Sequence, residues 1–542
     1  MALWFDVSEY LTWGSMAAYQ ITGDVSYACR VKPSALPASN SEDWIFMCGE
    51  STESEADNII YSIGIRNTSG SYYWRVFWEN GAGSNNLVDF AYSIATGTEY
   101  SLVVVRDTAA KTIELFVDGV SLGTQSYANN PTGGSNTRIR VAASWVSGQE
   151  YSGEVGEVIV WNRKLTSVEA ASYHTIAFPR ELADDAVVFY SPLGGQPVGE
   201  VDLISGRFAS ISGTPTNVSV MTQIAASPDL APNASQGYAK DSTYNYTSAT
   251  TSLHKYDSGW ALVTSNTSPF GDMWGLVDHI GDITVDGSFL YAGVGKWVGC
   301  DNTGSRWIAR YNTSDLSLDA ATKIPDSAFV AAVAVDPITD ELIGIDYCGH
   351  TMLAVYDKAT LGFKRFEELA PSPFAHGQGA ACKDGLVYVH YTDGILGVFD
   401  RWKKRPIWYN PLPITMTEGE GLYFDGATLK VLAHNGAAQN VYDITGVPQR
   451  SAESITVSIT LDGQANLSGL EYMWFDESKP SLTSKPVVTG NDGVVDSNGV
   501  FTLDLTGRTG LSSGDTGFLV LSDTDGQETT NHHAFAGPVV VT

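Results

Sequence analysis

The chain has 542 residues, with 31 Lys+Arg against 61 Asp+Glu and a net charge of −30. Hydrophobic residues make up 43% and aromatics 11%, which excludes a disordered chain. The charge excludes generic nucleic-acid binding, which needs Lys and Arg to displace counterions from phosphate, and docking on anionic membranes. At roughly 100–200 residues per domain, the length predicts about three to five domains.

Met1-Ala-Leu-Trp-Phe-Asp has neither a basic n-region nor an apolar h-region, so a chain made in cytosol-like conditions is expected. No uninterrupted apolar run reaches membrane-spanning length. The five cysteines, Cys29, Cys48, Cys300, Cys348 and Cys382, are odd in number and scattered. They fit buried free thiols better than a disulfide framework or a zinc site. Sequons such as those at Asn67, Asn217 and Asn312 are read as ordinary β-loop composition.

Alternating runs separated by Asp-Gly turns recur throughout, so the fold class is all-β. Residues 1–178 read as a β-sandwich. Its most informative stretch is a hairpin, Tyr100-Ser-Leu-Val-Val-Val-Arg-Asp and Thr112-Ile-Glu-Leu-Phe-Val, closed by Asp118-Gly119. Val155-Gly-Glu-Val-Ile-Val-Trp-Asn-Arg-Lys-Leu follows, with one short helix over 165–173 capped by Thr166 or Ser167. Together these motifs resemble laminin-G-like, concanavalin A-like jelly-roll domains. The resemblance implies glycan binding at one rim, in some members through calcium. Trp74, Trp78 and Trp145 are the candidate rim aromatics, with core packing as the alternative. Glu50, Glu53, Glu55 and Asp57 form either a hard-cation cluster or a solvated acidic loop.

Residues 179–224, with Tyr190-Ser-Pro-Leu and Asp202-Leu-Ile-Ser-Gly, read as an extension packed on the sandwich, plus a linker. Over 225–450 two registers repeat in phase. One is an apolar strand ending at Asp241, Asp286, Asp336, Asp384 and Asp425. The other is an aromatic followed by Asp or Asn, at Tyr256, Tyr311, Tyr356, Phe399 and Tyr442. Periods of 45, 50, 48 and 41 residues match a four-stranded propeller blade, so a five-bladed β-propeller is predicted. The long second blade carries an insertion near Gly293–Arg306.

Gly-rich entries to the innermost strands permit close approach of strands or of a ligand. They bring Gln236, His279, Asp282, His376, Gln378, Glu418 and Glu420 to the mouth of the channel. This set suits a small polar ligand or a cation. Calcium is the candidate ion and no cofactor is assigned. A glycan-cleaving enzyme needs an acid–base carboxylate pair across the channel, for which Asp282 and Glu420 are the candidates. Blade 3 offers only Ala331 and Ala332 at that position, so no catalytic residue is assigned and a non-enzymatic role is expected. The basic run Arg401–Arg405 reads as a solvated hairpin tip, with anion binding as the alternative.

Residues 451–542 show short alternating strands, including Leu470-Glu-Tyr-Met-Trp-Phe-Asp and Gly517-Phe-Leu-Val-Leu-Ser-Asp, which predict an Ig-like β-sandwich. The string is similar to C-terminal domains of phage structural proteins. His532-His533 is read as part of a loop. The module order therefore resembles a bacteriophage virion surface protein: head fibre, decoration protein or tail adhesin. That resemblance implies display on the virion, capsid or tail proteins as partners, a host-surface glycan as ligand, a possible homo-oligomer, and neither nucleic-acid binding nor membrane insertion. A glycan-cleaving enzyme and a purely structural capsid cement are the alternatives. The charge divides as −9, −12 and −9 over 1–178, 179–450 and 451–542, so every module shares it. Contact with anionic surfaces then rests on aromatics, hydrogen bonds or divalent bridges.

Overall fold

Strands dominate the computed structural model. It describes most of residues 2–449, leaving out stretches such as 51–58, 194–199, 297–304 and 346–351, and in 450–542 the backbone of six strands. Two large antiparallel sheets occupy the first 218 residues. One carries Val25–Pro33, Tyr100–Asp107, Thr112–Val117, Val120–Ser126 and Gly153–Trp161. The other carries Tyr10–Trp13, Glu42–Glu50, Tyr61–Thr68, Ser71–Glu79, Asn85–Ala91 and Thr137–Val141. Asp118 and Gly119 have φ of +52° and +77°, the backbone of the predicted two-residue hairpin turn. Thr166 caps the helix Ser167–Ser172, and Glu169 completes a capping box.

Period-two burial decides the fate of the candidate rim tryptophans. Along Ser71–Glu79, Trp74, Val76 and Trp78 are buried. Trp74 and Trp78 are both 0% exposed. Trp74 meets the Tyr100 ring edge-on at 5.4 Å, and Trp78 donates from Nε1 to Asn129 O at 2.8 Å. Both therefore belong to the sandwich core and present no face to a sugar, which corrects the rim assignment. Trp145, the acids at 53–57 and the side chain of Glu50 lie outside the described residues. Cys29, Cys48 and Cys382 are free thiols. Asn67 is buried and donates to Pro37 O at 2.8 Å, a turn-forming role.

The stretch after the sandwich does more than pack on it. Val187–Ser191 adds to one sheet and Ser210–Ser212 to the other. Asp202 anchors the stretch: Tyr19 Oη donates to its carboxylate at 2.9 Å, Tyr190 N at 3.1 Å and Ile204 N at 3.0 Å. A buried cluster runs from Val103 and Trp161 through Tyr173, Leu182 and Tyr190 to Ile343, Val355 and Phe374 of the propeller. Arg180 adds a hydrogen bond to Pro406 O. Tyr100–Asp107 is buried along nearly its whole length because both of its faces are covered, which explains the apolar run Leu102–Val105 at its centre.

Five four-stranded antiparallel sheets follow. Their first strands, Gly237–Lys240, His279–Asp286, Ala332–Asp336, Gly377–Lys383 and Glu418–Asp425, abut one another in a closed ring. Blades 1 to 4 are continuous in sequence. Blade 5 takes its outer strand from Thr222–Ala226, which pairs with Ala438–Thr445. The ring is thus closed by a strand that straddles the expected start at 225. All five of its residues are exposed, so it carries no apolar alternation for a sequence reading to find. The six strands beyond 450 form a two-stranded and a four-stranded antiparallel sheet. Their side chains, and with them the expected Ig-like packing and His532-His533, lie outside the described residues.

The repeated Asp at the end of the innermost strands has a physical role. Asp425 pairs with Lys240, Asp286 with Lys358 and Asp336 with Arg401, each from one blade to the next. Arg401 is 1% exposed. Its guanidinium also reaches Glu341 Oε2 at 2.8 Å and Glu367 Oε2 at 2.9 Å. The basic run is therefore anchored in a buried clasp between blades 3 and 4, and Arg401 is no solvated tip. Burial alone would raise the pKa of Glu341 and Glu367. Hydrogen bonds from Arg365, Lys364 and Arg401 reverse this at Glu341, and those from Arg401 and Arg365 at Glu367, holding both below the ordinary glutamate value of 4.5.

Arg401→Ala leaves three carboxylates without their central cation, and is expected to lower stability by about 3–5 kcal/mol at pH 7 in urea unfolding. With both folded-state pKa values depressed, the unfolded chain takes up these protons first as pH falls. The gap between wild type and variant is therefore full above about pH 5 and narrows as pH drops below the ordinary glutamate value.

Candidate functional site

The innermost strands are irregular at one level. Pairing registers slip between Ile280 and Ile283 in blade 2, Gly377 and Gly379 in blade 4, and Gly419 and Leu422 in blade 5. Such bulges re-aim side chains and release N–H groups from the ladder. The residues they release are Asp282, Gln378 and Glu420, together with Gly281 and Gly421. Both glycines are required by approach: a Cβ on Gly281 would sit 1.9 Å from Ala331 O, and one on Gly421 would sit 2.4 Å from Tyr238 N.

Asp282 is 0% exposed and lies on the axis. Its Oδ1 accepts from Tyr238 N at 3.2 Å and Ile283 N at 2.8 Å. Its Oδ2 accepts from Ala380 N at 3.0 Å and Leu422 N at 3.4 Å. Its own N–H donates to Ala331 O at 3.0 Å. One residue thus bonds to blades 1, 3, 4 and 5 from its place in blade 2. Burial pushes its pKa well above the ordinary aspartate value, and the four N–H groups offset only part of that rise. Among the described residues every hydrogen bond to its two oxygens comes from a backbone N–H, a donor set that favours the carboxylate over the neutral acid.

Above this hub lies a recess with a cavity volume of about 20 Å³. Five of the seven predicted mouth residues line it: Gln236, His279, Asp282, Gln378 and Glu420. Glu418 stands beside it, accepting from Gln378 Nε2 at 3.3 Å. His376 is not among the lining residues; it holds a left-handed turn at φ +62° and accepts Thr392 N at 3.1 Å. Lys296 and Arg306, which flank the blade 2 insertion, also line the recess. So do Gly293 and Gly295 on the strand before that insertion, and residues 297–304 of it lie outside the described ones. Burial lowers the pKa of His279, against the pull of Asp278. Burial, then Glu418 and Asp282, raises that of Glu420 well above the ordinary value.

Sequence reasoning missed Lys296, Arg306 and His434. His434 is the cross-strand partner of Glu418. Aligning the second strands of the blades, as well as the first, exposes that position. In blade 2 the partner of His279 is Gly295, which leaves the wall open there.

Asp282→Asn turns an amide N–H₂ toward backbone donors. It is expected to lower stability by about 1–3 kcal/mol in urea unfolding. Glu420→Gln replaces a buried carboxyl whose charged form no described donor stabilises, and is expected to be neutral or stabilising at pH 7. With the folded-state pKa raised, the native chain keeps a proton that the unfolded chain releases, so wild-type stability falls as pH rises above about 4.5. The advantage of Glu420→Gln therefore grows from pH 4 to pH 8.

Residues 5–171 match the laminin G family model described as the concanavalin A-like lectin/glucanases superfamily. No curated protein matches the chain. Among solved structures, Myxococcus xanthus glutaminyl cyclase is 12% identical, covering 41% of this chain and 95% of that one with a TM-score of 0.32. The Ruminococcus gnavus IT-sialidase CBM40 bound to α2,3-sialyllactose is 13% identical, covering 32% and 96% with a TM-score of 0.26. Tailspike protein 2 from the Escherichia coli O157:H7 bacteriophage CAB120 is 12% identical, covering 34% and 25% with a TM-score of 0.24. The chain is all-β, and joins a concanavalin A-like domain to a five-bladed β-propeller.

Proposed function

We propose that this chain is a glycan-binding protein displayed on a phage particle, and that the recess on the propeller axis is its ligand site. The observation that carries the reading is the convergence of Gln236, His279, Gln378 and Glu420 from four blades on one recess, with Lys296 and Arg306 on its wall. Two amides, an imidazole, a carboxyl and cationic groups supply the mixed donors and acceptors that a hydroxyl-rich ligand needs. With room for about one water-sized group, the recess takes a single hydroxyl or the tip of such a ligand, and the rest of the sugar lies over its mouth. The lectin description of the family matching 5–171 supports the same ligand class. The virion setting is supported by the module order and by the likeness of the C-terminal sequence to phage structural domains.

A binding role is favoured over glycan cleavage by the state of Asp282. Its oxygens are committed to four backbone N–H groups, so it is unfit to move a proton or attack a sugar carbon. That removes the Asp282–Glu420 pair as the acid–base couple of a glycosidase.

A glycan array on the full chain, followed by calorimetry on the best sugar, tests the ligand reading. Gln236→Ala with Gln378→Ala is expected to weaken binding about tenfold or more, as the loss of two hydrogen bonds requires, with folding unchanged. Sugar affinity unaltered by the pair would remove the recess from the account. Mass spectrometry of purified particles is expected to find the chain, and its absence would remove the virion setting.

A further inference from the structure

Glu418 lies at the start of blade 5's innermost strand, with His434 directly across the ladder on the second strand. Ligand atoms of Glu418, Glu420 and His434 all fall within 4.8 Å of one another. Glu418 Oε2 and His434 Nδ1 are 3.8 Å apart. Three features of this cluster are not those of a finished structural network.

Glu420 is 2% exposed and lines the recess, yet among the described residues its carboxylate meets no hydrogen-bond donor. Its charged neighbours, Glu418 and Asp282, are acids. His434 Nε2 is buried and has no hydrogen bond of good geometry, its polar neighbour being the Ser235 backbone. No Lys or Arg among the described residues pairs with Glu418 or Glu420, and the neutral Gln378 amide is the one described side chain that donates to Glu418. Two carboxylates and a neutral imidazole held together this way lack a cation.

We propose that Glu418, Glu420 and His434 bind a zinc-class divalent ion at the wall of the recess. The donor set decides the ion. Calcium takes six to eight oxygens and has no use for an imidazole. One imidazole with two carboxylates is a three-ligand set for zinc, with one position left open. Ligands about 2 Å from a tetrahedral ion stand roughly 3.3 Å apart, so the cluster needs a modest closure. Glu418, whose side chain is 42% exposed, is free to swing and supply it. The open position faces the recess that Glu420 lines. This replaces calcium, the ion the acidic composition suggests. It stands whether or not the recess takes a sugar.

The test uses the full chain without an affinity tag, and metal alone. Calorimetry with zinc chloride is expected to show one tight site per chain, and calcium chloride none. Glu418→Gln and His434→Ala, both at partly exposed positions, should each weaken zinc binding by about tenfold or more with circular dichroism unchanged. In the wild-type chain, zinc should also shield His434 from diethyl pyrocarbonate, read by peptide mass spectrometry. Absent zinc uptake, uptake equal in both variants, calcium bound in preference, or unshielded His434 would each overturn the inference. Sugar binding plays no part in these readouts, so a failure here leaves the glycan reading standing, and a failure there leaves the metal site standing.

Discussion

One carboxylate on the axis ties the propeller together. Strands that converge on a point leave backbone N–H groups with no ladder partner, and burying those groups unpaired costs about 1–3 kcal/mol each. Asp282 meets four of them, from blades 1, 2, 4 and 5, and its own N–H reaches blade 3. A Cβ at Gly281 or Gly421 would collide with the opposing backbone. The glycine-rich strand entries follow from this geometry more than from the ligand.

The same irregularity builds the recess. The bulges that turn N–H groups toward Asp282 also leave Gln378 and Glu420 unpaired in the ladder and project them toward the axis. Structure and function thus share one feature, and they pull Glu420 in opposite senses. Packed beside a committed carboxylate, it is held in an environment that penalises its charge. Retaining such a group sacrifices stability, a pattern common at binding sites. At the far ends of the same strands the pressure is reversed. There the repeated Asp of blades 2, 3 and 5 finds Lys or Arg on the neighbouring blade, and ion pairs clamp those three seams.

Much of the fold was legible because repetition encodes it. The strand-ending Asp register falls at or just past the last residue of all five innermost strands, as at Asp286 and Asp425. The aromatic register falls on the third strands, as at Tyr311 and Tyr356. Two things were not legible. The closing strand Thr222–Ala226 is wholly exposed and leaves no periodic trace. Arg401 looks like a solvated charge in sequence because its three acid partners, Asp336, Glu341 and Glu367, lie 34 to 65 residues away. The tryptophans mislead for a different reason: period two places Trp74 and Trp78 on one face but does not say which face is inside. At the recess, the first-strand residues were found because glycines mark them. His434 was missed because partnership across a ladder is set by register, which the sequence does not display.

The central claim is that Asp282 holds four blades as a single cooperative unit. Amide hydrogen exchange on the full chain reads this directly. The N–H groups of Tyr238, Ile283, Ala380 and Leu422 should exchange together, with a common opening free energy close to that of unfolding the propeller as a whole. Four separate and lower opening energies, one per blade, would contradict the account.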